Sequence, residues 1–259
     1  MSVSERFQGA NVIDAGVLSP YWGEHTARYS FALPYIKGKQ VLDIACGTGY
    51  GLAFLKSTAK SVTGVDVDAV AAKQALSECD AKASVLLGDG TNLPFHDESF
   101  DVVTSFETLE HLFERKLFLS ELKRVLKPNG LLILSTPNAH YTKPINGKPT
   151  NKFHVFEYTT EELKAELESQ FTLQKFIGQT LDESIAIPPF QDAQKRLPKD
   201  FAIQSKLFAW KVFNKIPLNL RENLSRTIWK KPFYPTEKDY NFTAETINFA
   251  PVLVAVCQK

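Results

Sequence analysis

Between residues 40 and 180 the chain returns repeatedly to short apolar runs: Val41–Ala45, Val62–Val67, Ser84–Leu87, Phe100–Phe106, Leu131–Thr136 and Phe171–Ile177. Most are apolar throughout, as strands buried on both faces of a parallel sheet must be. Helix-like segments lie between them, at Tyr50–Ser57, Ala69–Ser77 and Leu117–Leu126. The last runs into Lys127-Pro128-Asn129-Gly130, basic residues followed by a Pro/Gly stop. This alternation predicts a doubly wound α/β sheet.

Two stretches fall outside it. Residues 1–39 form an N-terminal helical cap, with a helix over Gly23–Ile36 on which Glu24 and Arg28 can pair at the surface. Residues 40–259 make the main domain, including an insertion at 181–248 that precedes a final run, Val252–Val256. The insertion reads as helical pieces broken at Pro188-Pro189, Pro198, Pro217, Pro232 and Pro235. It holds too many large apolar residues to stay solvated. Cys46, Cys79 and Cys257 are odd in number and lack metal-ligand spacing, which predicts free thiols in a reducing compartment. With no apolar leader and no run long enough to span a bilayer, the expectation is a soluble cytoplasmic protein.

The most informative segment is Val41-Leu42-Asp43-Ile44-Ala45-Cys46-Gly47-Thr48-Gly49-Tyr50-Gly51, a strand entering a glycine-rich turn that opens a helix. Glycines let the backbone turn tightly and approach a ligand. Asp66 ends the next strand, where a carboxylate can accept both hydroxyls of a ribose. A dinucleotide site would need G-x-G-x-x-G, but position 52 is Leu52 and the spacing is G-x-G-x-G. Asp43 would repel a pyrophosphate; it suits a ligand with a cationic amino-acid end, namely S-adenosylmethionine. Asp89, in Gly88-Asp89-Gly90-Thr91, ends the third strand and can accept from an adenine amino group.

Together with Phe100-Asp101-Val102-Val103-Thr104-Ser105-Phe106-Glu107-Thr108-Leu109-Glu110-His111 and Glu121–Asn138, these segments resemble the class I S-adenosylmethionine-dependent methyltransferases, in the broad group acting on small molecules and glycans. The resemblance covers about residues 20–180 and returns at Val252–Val256. It implies a Rossmann-like seven-stranded sheet in the order 3-2-1-4-5-7-6, with strand 7 antiparallel. By the same resemblance Asp43 and Gly47 lie near the methionine end, Asp66 on the ribose and Asp89 on the adenine. Ala45, Gly49, Val67, Gly90 and Phe106 complete the expected cofactor set. Ala45 replaces the family's commonest first glycine. The N-terminal segment around Glu24–Tyr29 is similar to bacterial methyltransferases found with cell-surface polysaccharide genes, which would place Tyr21, His25 and Tyr29 over the cofactor; a His–Tyr pair at helical spacing is more often a packing motif.

Glu107, Glu110 and His111 follow strand 4, and a helix there would project all three from one face. His154 lies in a loop before a helix whose start, Thr159 with Glu162, reads as a capping box. The pattern E-x-x-E-H followed by a distant His resembles two O-methyltransferase groups, one making ubiquinone and one methylating the terminal 2′-hydroxyl of small RNAs. That resemblance implies a divalent ion (Mg²⁺, Mn²⁺ or Zn²⁺) on Glu107, Glu110, His111 and His154. Two other readings stand beside it: a single histidine base, His154 first and His111 second, with Glu107 in support, or structural histidines with catalysis by proximity alone.

The whole chain is nearly neutral, with 30 Lys+Arg against 29 Asp+Glu. That balance conceals residues 195–238, where 11 basic and 3 acidic side chains interleave with Phe201, Phe208, Trp210, Phe213, Trp229, Phe233 and Tyr234. Such a segment can hold an anionic acceptor, rest on an anionic membrane, or simply be a helical cap with solvated lysines. A nucleic-acid partner is the lesser expectation. The apolar positions of 201–216 do not form one helical stripe. The expected reaction is O-methylation of a sugar or other polyhydroxylated metabolite, carried or not on a nucleotide or lipid pyrophosphate. The competing expectations are a metal-dependent 2′-O-methyltransferase of RNA ends and a cofactor-binding partner protein without turnover.

Overall fold

A computed structural model describes residues 19–77 and 79–259. The part of the expected N-terminal cap before Ser19 lies outside them. Helix α1 (Trp22–Ile36) leads into β1 (Gln40–Ile44), α2 (Tyr50–Leu55), β2 (Ser61–Asp66), α3 (Ala69–Ser77) and β3 (Ala83–Leu87). The second half of the sheet runs through β4 (Phe100–Phe106), α4 (Arg115–Val125), β5 (Leu126–Pro137), the short α5 (Ala139–Thr142), α6 (Thr160–Glu168) and β6 (Thr172–Leu181). Then come α7 (Gln191–Lys195), α8 (Phe201–Phe213), α9 (Leu218–Ile228), β7 (Tyr240–Thr243) and β8 (Val252–Gln258).

The strand order is β3-β2-β1-β4-β5-β8-β6-β7. Strands β1 to β5 pair in parallel, and β8 runs antiparallel between β5 and β6. The expected last strand therefore takes the expected slot. One correction applies: the sheet has eight strands, because Tyr240–Thr243 adds an edge beyond β6. Its Tyr-Asn-Phe-Thr sequence has neither the length nor the apolar run that marks the others. β3 also departs from the doubly buried pattern and is largely exposed.

Strand periodicity shows directly in the core. Leu42, Val103 and Leu132 join one apolar cluster, with Phe118, Leu119 and Leu163. Their neighbours Val41, Val102 and Ile133 join the other, with Ile36, Leu52 and Leu55. Each such side chain, once fully buried, contributes about 1.5–3 kcal/mol before the cost of ordering it.

The described chain divides into two compact units. One comprises Arg28–Thr180 and Phe242–Lys259, and contains nearly all of the sheet. The other comprises 19–27 and Leu181–Asn241. Arg28 is buried in the first unit, its guanidinium donating to Gln179 Oε1 at 2.8 Å, so the expected surface position for an ion pair with Glu24 is corrected. In the second, α8 and α9 start after Pro198 and at Pro217, as the proline breaks predict. All three cysteines are thiols, with no disulfide among the described residues.

Candidate active site

The glycine-rich turn connects β1 to α2. Ala45, Gly47 and Gly49 all adopt left-handed φ angles of 58°, 57° and 88°. A side chain tolerates that conformation poorly, so Ala45 holds a strained position where glycine would not. No atom lies within 4 Å of where a Cβ on Gly47 would stand. The other two glycines serve packing: a Cβ would stand 2.7 Å from Ala75 Cβ at Gly49, and 2.0 Å from Tyr29 Cζ at Gly51.

Asp66 holds this turn. Its Oδ2 accepts from Gly47 N–H at 2.9 Å and its Oδ1 from Asp68 N–H at 2.8 Å. Asp43 is fully buried below it, accepting from Thr104 Oγ1 at 2.6 Å and from the Tyr29 hydroxyl at 3.2 Å. Burial pushes the Asp43 carboxyl up to about 7, against the pull of those two hydrogen bonds. Tyr29 does not line an open surface. It is buried edge-on against Phe106, centroids 5.0 Å apart, and its hydroxyl donates to Asp43.

Val67 follows Asp66 and is exposed. Asp89 organises its own turn, accepting from the amide and hydroxyl of Thr91, both at 2.9 Å. At Gly90 a Cβ would collide with Phe118 Cε2 at 2.6 Å, so that glycine is required by the core. Tyr21 belongs to the second unit and packs on Phe190, centroids 5.2 Å apart.

After β4 the chain does not continue as a helix, which corrects the expected shared face of Glu107, Glu110 and His111. Glu107 has a left-handed φ of 52°, and only Leu109–His111 forms a 3-10 turn. Glu107 Oε1 accepts from Ser135 Oγ at 2.7 Å. Glu110 is buried, accepts from Thr136 Oγ1 at 2.9 Å, and is pushed well above the usual carboxylate range by burial and then by the Glu107 charge. Candidate ligand atoms of Glu110, His111 and His154 all lie within 4.8 Å of one another. Glu107 is not in that cluster, so the expected four-residue metal set reduces to three.

The two histidine rings meet edge to face, centroids 4.9 Å apart. His111 Nδ1 lies 3.2 Å from Phe153 O. His154 Nδ1 lies 2.7 Å from Glu157 Oε1, and its Nε2 lies 3.0 Å from Asn151 Nδ2. An amide nitrogen can only donate, so Nε2 is the acceptor nitrogen and Nδ1 carries the proton toward Glu157. Burial opposes the charge on Glu157, but hydrogen bonds from His154 and Thr142 outweigh it and hold the carboxyl below its usual range.

Residues 42–134 match the family model of a methyltransferase domain. Over those residues the chain is similar to S-adenosylmethionine-dependent methyltransferases. A probable S-adenosylmethionine-dependent methyltransferase of Mycobacterium tuberculosis is 35% identical over 144 residues, covering 55% of this chain and 52% of that protein. The phthiotriol/phenolphthiotriol dimycocerosates methyltransferase 1 of Mycobacterium ulcerans is 30% identical over 158 residues, covering 56% and 57%. The chain thus spans about half the length of these curated relatives. An S-adenosylmethionine-dependent methyltransferase structure from Thermotoga maritima superposes with a TM-score of 0.60 over 96% of each chain at 17% identity, which establishes the fold.

The glycine-rich turn fits the cofactor of such relatives on three observations. The space at Gly47 is open, the Thr48 hydroxyl is buried without a partner among the described residues, and two carboxylates, Asp43 and Asp66, lie at the turn. Sequence reasoning missed the residues that set up these groups: Thr104, Ser135, Thr136, Asn151 and Glu157. Only Glu157 left a signal, the three-residue spacing from His154. The hydroxyls lie near the ends of otherwise apolar strand runs, where nothing in the pattern marks them.

Proposed function

We propose that the protein transfers the methyl group of S-adenosylmethionine to a hydroxyl of a sugar or another polyhydroxylated acceptor, with His154 taking the hydroxyl proton. The observation that carries this reading is the His154–Glu157 pair, a carboxylate that fixes the imidazole tautomer and leaves Nε2 as acceptor. Asp43 and Gly47 would face the methionine end of the cofactor, Asp66 its ribose, and Val67 and Asp89 its adenine. The cofactor supplies an electrophilic methyl group on a sulfonium. The chain supplies alignment and the base. The name of the M. ulcerans relative includes a triol, which supports an acceptor with several hydroxyls.

The test is a mass-spectrometric screen of sugars, nucleotide sugars and lipid-linked sugars for gain of one methyl group. With a turned-over acceptor, His154→Ala is expected to lower kcat about a hundredfold while calorimetry shows unchanged cofactor affinity. A wild-type rate in that variant overturns the assignment of the base. Transfer to RNA ends that weakens steeply with salt would move the acceptor to nucleic acid. A chain that binds cofactor and methylates nothing would be a binding partner instead.

A second reading has its own support, the convergence of Glu110, His111 and His154, which are N and O donors of the kind a divalent ion takes. Against it, burial pushes the Glu110 carboxyl toward its neutral form, a poor ligand for a cation. The histidine-base reading predicts turnover unchanged after chelation; loss on chelation and recovery with added Mg²⁺, Mn²⁺ or Zn²⁺ would establish the ion.

A further inference from the structure

Helices α8 and α9 of the second unit expose apolar side chains and bury polar ones. On α8, Phe201, Phe208 and Val212 are spaced by seven and four residues and share one face. Their exposures are 89%, 69% and 50%. The opposite face is also apolar: Leu207 is buried and Trp210 stacks on Phe233, centroids 5.7 Å apart. Two opposed apolar stripes explain why the sequence shows no single one.

On α9 the pattern is inverted. Arg221, Glu222 and Ser225 are buried. Arg221 donates to the backbone oxygen of Asn214 at 2.7 Å and to the Tyr234 hydroxyl at 3.0 Å, with its guanidinium 4.5 Å above the Phe233 ring. Glu222 accepts from Arg226 Nε at 2.7 Å and Phe233 N–H at 3.0 Å. The apolar Leu220, Ile228 and Trp229 are left exposed. A helix facing water has the reverse arrangement.

Exposed basic residues accompany both apolar faces. Lys211 and Lys215 flank the outer face of α8, and Arg226, Lys230 and Lys231 lie on or just beyond α9. From Lys199 to Lys231 the acids are Asp200, which caps α8 through Ile203 N–H at 2.9 Å, and the buried Glu222. We propose that the outer faces of α8 and α9 rest on an anionic lipid bilayer. Acyl chains would receive the apolar side chains while the long lysines keep their heads among anionic headgroups. The exposed set favours lipid over nucleic acid, because Val212, Leu220 and Ile228 have no ring on which a base could stack. Trp229 beside two lysines suits the interface between acyl chain and water. The proposal does not depend on the acceptor.

Co-sedimentation of the full chain with phosphatidylglycerol/phosphatidylcholine vesicles and with pure phosphatidylcholine vesicles tests it. Binding is expected to the anionic vesicles, weakening at least about tenfold between 0.1 and 0.5 M salt. Phe201→Ser/Phe208→Ser/Leu220→Ser should weaken it by at least about tenfold, and Lys211→Glu/Lys215→Glu/Lys230→Glu likewise. Both variants should keep the wild-type Tm and cofactor affinity. Wild-type protein left in the supernatant with anionic vesicles overturns the proposal, as does equal binding by the variants. If instead the apolar variant only dissolves a dimer seen by sedimentation velocity, without vesicle binding, the face belongs to a second copy and the proposal fails.

Discussion

A methyl group added at Gly51 would stand 2.0 Å from Tyr29 Cζ, whereas one added at Gly47 meets nothing. The two glycines therefore predict different failures. Gly51→Ala should destabilise the protein by about 1–3 kcal/mol through overpacking, read as a lower Tm, with cofactor binding affected only as far as the fold is. Gly47→Ala should cost only about 1 kcal/mol for its left-handed backbone, yet weaken cofactor binding, read by calorimetry, because it fills the open space. Equal losses in both measurements for the two variants would refute the distinction. Asp66→Ala removes the acceptor of both the Gly47 and Asp68 amides, and should weaken cofactor binding by more than about tenfold; unchanged affinity would remove the ribose assignment. At this scale the sequence was legible where chemistry demands an unusual residue in an unusual place, such as Asp43 in an apolar strand. It put Tyr29 near the cofactor but gave no sign that its hydroxyl reaches Asp43 from another element. Long-range pairs of that kind leave no local spacing to read.

At the scale of elements, the buried strands were legible because burial on both faces leaves only apolar residues to choose from. The start of α6 was equally plain. Thr159 and Glu162 form the reciprocal capping box, and Thr159→Ala should cost about 1 kcal/mol, measured by chemical denaturation against a wild-type control. Two elements were not legible, for different reasons. β7 is a four-residue edge strand whose pairing is set by its neighbour rather than its own composition. The turn after β4 breaks helical spacing at Glu107, a residue with nothing in its type to announce a left-handed backbone. The same break is why three residues expected on one face separate, Glu107 toward Ser135 and Glu110 toward Thr136.

For the molecule as a whole, the near-neutral charge is a cancellation between the basic segment at 195–238 and an acidic remainder. Part of that acid is buried, and buried acid makes stability depend on pH. The Asp43 carboxyl rises from the usual 3.8 to about 7, so its contribution is complete below about pH 4 and is lost as pH rises through about 7. Glu110 shifts in the same direction. Glu157 shifts oppositely, its contribution present above its usual 4.5 and lost as pH falls. Asp43→Asn cannot ionise, so relative to wild type it should gain about 1.4 kcal/mol per pH unit between about pH 5 and 7 in the absence of cofactor. Parallel stability curves for the two proteins would show that Asp43 does not titrate in this range. Strand β8 follows every other strand in the chain, yet its residues pair with β5 on one side and β6 on the other. During synthesis the growing polypeptide must therefore leave the ribosome with both of those edges open until residue 252 emerges. For that interval a template for wrong pairing is exposed.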